Sequence, residues 1–101
     1  MAILEISVVP VGTKDTGLSD YISELIKTLT AYKDIRYELT AMGTIIEGDI
    51  TRLFSVAQMM HEKMFALGPK RVLTTLKIDD RRDKVETIRR KVKVVMDKVK
   101  L

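Results

Sequence analysis

The side chains in this sequence that are able to perform chemistry are few and isolated. His61 is the only histidine and cysteine is absent, so the sequence offers neither a cluster of metal ligands nor a thiol nucleophile. Three glutamates on predicted strands, Glu5, Glu38 and Glu47, are potential partners in general acid–base catalysis. Carboxylates on strands more often pair with Lys and Arg residues on the neighbouring strand. The sequence therefore predicts that the protein is not an enzyme, with no catalytic residues and no metal site.

A cluster of charges at residues 79–83, with the sequence Asp-Asp-Arg-Arg-Asp, is the best candidate for binding phosphate. Arg81 and Arg82 are expected at the start of the last helix, where free backbone N–H groups attract anions. The alternative is a corner in which these arginines pair with the neighbouring aspartates and Asp80 caps the helix. The sequence leaves both interpretations open.

Length and composition define the class of protein. The 101 residues are 46% hydrophobic and 32% charged, which is typical of a single soluble globular domain spanning residues 1–101. No apolar run reaches the roughly 20 residues of a membrane helix, and the lack of cysteine favours a cytoplasmic protein. The formal charge of +4 is concentrated after Asp80. Those cations alternate with the apolar positions of one helix and no aromatic residue separates them, so nucleic-acid binding is not expected.

The periodicity of the apolar residues predicts an α+β, ferredoxin-like βαββαβ fold. This fold has an antiparallel four-stranded sheet with two helices on one face, and here a C-terminal helix at about residues 81–100 is added. Alternating apolar positions predict the strands, and apolar positions three and four residues apart predict the helices. In chain order, the predicted elements are a strand at 2–10, a helix at 18–32, strands at 35–40 and 42–47, a helix at 50–67 and a strand at 71–79.

The second face of this sheet is expected to mix apolar and polar side chains. Ile3, Val9 and Leu73 would share it with polar residues such as Ser7 and Thr75. Such a face is too apolar to remain exposed, so a second copy of the sheet is expected to cover it and to form a homodimer or a homotetramer. Polar groups enclosed there would either bind a ligand or satisfy one another.

Three motifs resemble the thiamine-binding protein family of the YkoF-like superfamily. They are SVVPVGT at residues 7–13, MGTIIEGD at 42–49 and RVLTTLKIDDRRDK at 71–84. The resemblance covers nearly the whole chain. It implies a ferredoxin-like fold, association of sheets into dimers and tetramers, and binding of thiamine or its hydroxymethylpyrimidine part without catalysis and without a cofactor.

Carried onto this sequence, the resemblance implies a binding site between strands at a subunit interface. A carboxylate suits the thiazolium cation of thiamine, and hydroxyl groups suit its aminopyrimidine. The implied ligand-binding residues are Ser7, Met42, Thr44, Glu47 and Thr75. Arg81 and Arg82 would suit a phosphorylated form. The alternative is an oligomeric interaction or scaffold module whose sheet face binds no small molecule.

Overall fold

The computed structural model describes residues 1–14 and 17–100 and contains four strands and three helices. The strands are β1 (Ala2–Val11), β2 (Arg36–Leu39), β3 (Thr44–Gly48) and β4 (Arg71–Asp80). The helices are α1 (Ser19–Leu29), α2 (Ile50–Ala66) and α3 (Ile88–Val99). None of the helices in these ranges is both long and apolar enough to cross a membrane.

The strands form one sheet in the order β2-β3-β1-β4, in which every neighbouring pair is antiparallel. With α1 and α2 on one face and α3 added at the end, this arrangement confirms the predicted ferredoxin-like fold. β2 and β3 form a hairpin, and the central strand β1 joins β3 to β4. The sequence order of the elements was therefore sufficient to predict the topology.

The core lies between the sheet and the two helices α1 and α2. Alternate residues of β1 point into it, because successive side chains of a strand lie on opposite faces. Leu25 and Leu29 of α1 and the apolar stripe of α2 cover them. The fully buried side chains of this core include Leu4, Ile6, Leu25, Leu29, Ile46, Leu53, Val56, Met60 and Met64.

The C-terminal helix begins at Ile88, so the predicted start at about residue 81 was wrong. β4 continues to Asp80, and the chain then forms an irregular corner before Thr87 caps α3. The Thr87 side chain accepts a hydrogen bond from the Arg90 N–H at 3.1 Å, which is the usual geometry of an N-cap. Asp80 is instead paired with Arg82, so it is not available as the cap.

The sheet face opposite α1 and α2, here called the open face, is only partly covered. The first turn of α3 lies against one end of it, where Ile88 and Val92 approach Ile3 and Ile45 across a groove of about 370 Å³. No residue of α3 is buried. The open face carries Ile3, Glu5, Ser7, Val9, Ile45, Glu47, Leu73, Thr75, Lys77 and Asp79.

Candidate functional site

A cavity of about 310 Å³ lies where the β2–β3 hairpin meets β1 and the start of α1. We call it the hairpin cavity. It exists because β3 pairs with β1 only as far as Ile6, which leaves the edge of β1 unpaired from Ser7 onward on that side. The cavity is lined by Ile6, Ser7, Val8, Val9, Leu18, Ser19, Ile22, Leu25, Leu39, Thr40, Ala41, Met42, Gly43, Thr44 and Met60.

The hairpin turn that closes one side of the cavity is held by local hydrogen bonds. The Thr40 hydroxyl donates to the Gly43 carbonyl at 2.8 Å and accepts from the Met42 N–H at 3.3 Å. Gly43 lies directly against β1, because a side-chain carbon at this position would lie only 2.9 Å from the carbonyl oxygen of Ile6. This close approach fixes the position of the cavity wall.

Thr44 supplies the polar group at the base of the hairpin cavity. It lies opposite Ile6 in the register, so its side chain points toward the helices, and only 4% of the residue is exposed. Its hydroxyl makes no hydrogen bond to any other described residue. Among the described residues, this hydroxyl is not one of the completely buried side-chain atoms that lack a partner, so it keeps some exposure to the cavity. The Thr44 hydroxyl is therefore available to a ligand in the cavity.

The structure divides the five residues that the sequence predicted as one ligand site. Ser7, Met42 and Thr44 line the hairpin cavity. Thr75 lies opposite Ser7, and the side chains of both point to the open face, on the other side of the sheet from that of Thr44, so Ser7 only borders the cavity at the edge of β1. Glu47 is also on the open face, opposite Ile3, which is four residues and roughly 13 Å along β1 from Ser7.

Glu47 holds α3 against the sheet. The residue is only 4% exposed, and its Oε2 accepts a hydrogen bond from the Ile88 N–H at 2.5 Å. This N–H belongs to the first turn of α3, where the helix dipole favours a negative charge. Lys91 of the same helix donates to Asp79 of β4. The Glu47 carboxylate therefore has a structural partner within the chain.

Arg81 and Arg82 are paired with aspartates in the corner before α3. Arg81 Nε donates to Asp83 Oδ1 at 2.6 Å, and Arg82 Nη2 donates to Asp80 Oδ2 at 2.9 Å. These hydrogen bonds lower the pKa of both carboxyl groups below the usual value for Asp, and they raise the pKa of both guanidinium groups. Of the two interpretations left open by the sequence, the geometry favours the paired corner. A phosphate would have to compete with these carboxylates.

His61 is a partly buried helix residue. Its Nδ1 lies 2.7 Å from the Thr74 hydroxyl of β4, and its ring meets the edge of Phe65 at a centroid distance of 5.2 Å. In residues 1–14 and 17–100, no group of three or more His, Cys, Asp or Glu side chains is arranged to hold a metal ion. His61 therefore serves to position α2 on the sheet.

The sequence analysis did not predict the part of the hairpin cavity that is formed by α1 and by the turn between β2 and β3. Thr40, Leu18 just before α1 and Ile22 of α1 line it, but none of them belongs to the motifs that carried the family resemblance. Gly43 is the residue from which this part of the cavity could have been predicted, since a glycine between two strands often marks a close approach of two backbones.

A family model described as thiamine-binding protein matches residues 4–96 of the chain. This chain belongs to the thiamine-binding protein family. The name of that family supports a small-ligand-binding role, and the hairpin cavity is of a suitable size, since ligand pockets begin at about 300 Å³.

Individual relatives match this chain over almost its full length. The UPF0045 protein in the glkA 3′ region of Staphylococcus xylosus is 48% identical over 94% of this chain and 92% of the relative. UPF0045 protein YqgV of Bacillus subtilis is 42% identical over 94% of both chains.

Solved structures show the same fold. Hypothetical protein MJ1052 of Methanocaldococcus jannaschii superimposes with a TM-score of 0.86 at 34% identity, over 95% of this chain and 96% of that one. A Thermotoga maritima protein named for thiamine biosynthesis or salvage has a TM-score of 0.78 at 23% identity, over 93% and 97% of the two chains. At that identity, the likeness shows the fold alone.

Proposed function

We propose that the chain binds thiamine or a related pyrimidine without catalysing a reaction, and that the pyrimidine ring occupies the hairpin cavity. The observation that carries the proposal is the hydroxyl of Thr44, a residue only 4% exposed, which has no partner among the described residues and faces a mainly apolar cavity wall. A pyrimidine has flat apolar faces and a hydrogen-bonding edge, which is the chemistry that this wall would accept. The name of the family supports the same class of ligand.

The charge distribution of the cavity determines how thiamine would be oriented. No charged residue is among those that line it, and burying a cation without a partner is costly. The pyrimidine would therefore enter first, and the thiazolium and any phosphate would remain at the mouth. Hydroxymethylpyrimidine should then bind with an affinity within about tenfold of that of thiamine, because the thiazolium adds little contact inside the cavity.

The mouth of the cavity is suited to a subunit interface. Met42 is 84% exposed at the tip of the hairpin, and Leu39 beside it is also exposed. These apolar side chains would be covered if a second copy of the chain packed against the hairpin. We place the outer part of the ligand in this contact, which keeps the site at a subunit interface as the sequence predicted.

Calorimetric titration with thiamine, hydroxymethylpyrimidine and thiamine phosphate tests the proposal. Thr44→Val keeps the shape of the side chain but removes its hydroxyl, and should weaken binding by about tenfold. Thr75→Val on the open face is the matched control and should leave the affinity unchanged. If Thr75→Val weakens binding and Thr44→Val does not, the ligand lies on the open face. No heat from any of the three compounds with folded protein would disprove the proposal.

A scaffold role is the second candidate, and the exposed apolar stripe of α3 favours it. Val92, Val95 and Val99 are all more than half exposed, although they would normally be buried in an amphipathic helix. A chain that serves only as an assembly module would keep this stripe for contacts between subunits. Its thermal stability would then be unchanged by any of the three titrated compounds.

A further inference from the structure

The loop between β1 and α1 and the loop between α2 and β4 lie side by side at one end of the sheet. Val11 ends β1 directly opposite Arg71, the first residue of β4, so the two loops are joined to neighbouring positions. Each loop contains a glycine in the left-handed region, Gly12 with φ 80° and Gly68 with φ 122°. Glycine adopts this conformation readily because it has no Cβ. The two glycines therefore set the direction in which each loop turns.

A lysine follows each of these glycines by two positions, in the sequences Gly-Thr-Lys at 12–14 and Gly-Pro-Lys at 68–70. Lys14, Lys70 and Arg71 all line a cavity of about 630 Å³ to which both loops contribute. We call it the basic cavity. Its uncharged lining includes Val11, Tyr21 and Pro69. No Asp or Glu is among the described residues that line it, so its charge there is of one sign.

The three cations of the basic cavity have no partner in the part of the chain that the structure describes. None of them forms an ion pair or a side-chain hydrogen bond with residues 1–14 or 17–100. Arg81 and Arg82, roughly 30 Å away at the other end of β4, are both paired with aspartates. A cleft lined by one sign of charge attracts ions of the opposite sign. The basic cavity is therefore better suited to an anion than the corner before α3.

We propose that the basic cavity binds the phosphate group of a small organic phosphate ester. A phosphate monoester carries a charge of about −1.5 to −2 at neutral pH, which matches three cations better than the single charge of a carboxylate. The planar guanidinium of Arg71 suits phosphate because it can donate two parallel hydrogen bonds. At about 630 Å³, the cavity has the size of a site for a whole small molecule. Val11 and Pro69 provide apolar contact for the organic part.

The basic cavity is separate from the hairpin cavity. The two cavities share no lining residue, so this inference does not depend on the proposed function. Gly12 and Gly68 line the basic cavity, whereas Gly43 lines the hairpin cavity. The backbone amides of these glycines therefore report which of the two cavities a compound enters.

An NMR titration of the isotope-labelled protein with phenyl phosphate tests the proposal, because this probe joins a phosphate monoester to an apolar group. The amide signals of Gly12 and Gly68 should shift until they saturate, and that of Gly43 should not. Inorganic phosphate should shift the same two signals but bind more weakly, since it lacks the apolar contact. Benzoate has the same ring with a single charge, and should bind about tenfold more weakly than phenyl phosphate.

Two substitutions that each remove one positive charge separate this site from the general charge of the protein. Arg71→Gln should weaken the binding of phenyl phosphate by about tenfold, because a charge-assisted hydrogen bond is lost. Lys84→Gln is the matched control, since Lys84 is also exposed but follows the other end of β4 and does not line the basic cavity. It should change the affinity by no more than about twofold, because salt screens charges at that distance.

Three results would disprove the proposal. The first is that phenyl phosphate shifts neither Gly12 nor Gly68, or shifts Gly43 instead. The second is that benzoate binds as tightly as phenyl phosphate, because the cavity would then not select phosphate. The third is an equal loss of affinity in Arg71→Gln and Lys84→Gln, which would mean that the anion responds only to net charge. If Arg71→Gln does not fold, Lys70→Gln takes its place with the same expected loss.

Discussion

Gly43 shows how one residue shapes the candidate site. Its lack of a side chain allows the hairpin turn to lie against the Ile6 carbonyl, and this contact forms a wall of the hairpin cavity. Its backbone does not have a positive φ. The requirement for glycine is therefore steric rather than conformational.

Gly43→Ala should destabilise the protein by about 1–3 kcal/mol, because the added methyl group would have to displace backbone. Chemical denaturation with urea measures the free energy of unfolding. The exposed neighbour Ala41 provides the control, since Ala41→Ser in the same turn should change stability by no more than about 0.5 kcal/mol. Equal stability of Gly43→Ala and the unsubstituted protein would show that the turn is free to move away from β1.

The position of Thr44 and Glu47 on opposite faces of the sheet could have been predicted from the sequence, but the comparison of motifs did not consider it. Both residues belong to the same motif on β3, but they are three positions apart. Side chains that are an odd number of positions apart on a strand lie on opposite faces of the sheet. Thr44 and Glu47 therefore cannot contact the same ligand group. The Thr44 hydroxyl lies in the hairpin cavity, and the Glu47 carboxylate binds the first turn of α3. The alternation of the strand would have predicted this division.

Among the three helices, α3 is attached most weakly to the rest of the chain. Its Ile88 N–H is bonded to Glu47 and its Lys91 to Asp79, but none of its residues is buried. By contrast, α2 buries five residues in the core. Local stability follows the number of buried apolar contacts. The helix is therefore expected to open without unfolding of the sheet.

Glu47→Gln should accelerate amide hydrogen exchange in α3 by about tenfold, because the neutral amide interacts less favourably with the N-terminus of the helix. Exchange in α2 should not change. The control is Glu38→Gln, which removes the same charge from an exposed position of β2. Loss of protection throughout the core would instead mean that Glu47 supports the sheet itself.

The start of α3 was the least predictable boundary of the fold. Asp80 and Asp83 have the spacing of a capping box, and Val85 continues the apolar period of the helix backward. In the structure, both aspartates pair with arginines two residues away, and Thr87 is the cap. Competition between local ion pairs and helix capping depends on side-chain geometry, which periodicity does not encode.

At the scale of the whole molecule, the valine stripe of α3 is an apolar surface that remains uncovered. The element order was predictable from periodicity, because each pattern is local. The hairpin cavity was not, since it arises only where α1, β1 and the hairpin meet.

Val95→Asp should reduce a tetramer to a dimer, because the new carboxylate would be enclosed in an apolar contact. Sedimentation velocity measures the mass of the assembly, and Lys98→Asp on the same helix is the control that introduces a carboxylate outside the stripe. A tetramer that survives Val95→Asp would show that α3 takes no part in the assembly.

The weak attachment of α3 also has a consequence for the lifetime of the protein. Residues 81–100 contain nine Lys and Arg residues, and a helix with no buried residue opens readily. Trypsin-like proteases would begin at this tail and leave the core intact. Subunits whose tails are enclosed by neighbours would escape cleavage, so a cell would remove unassembled copies first.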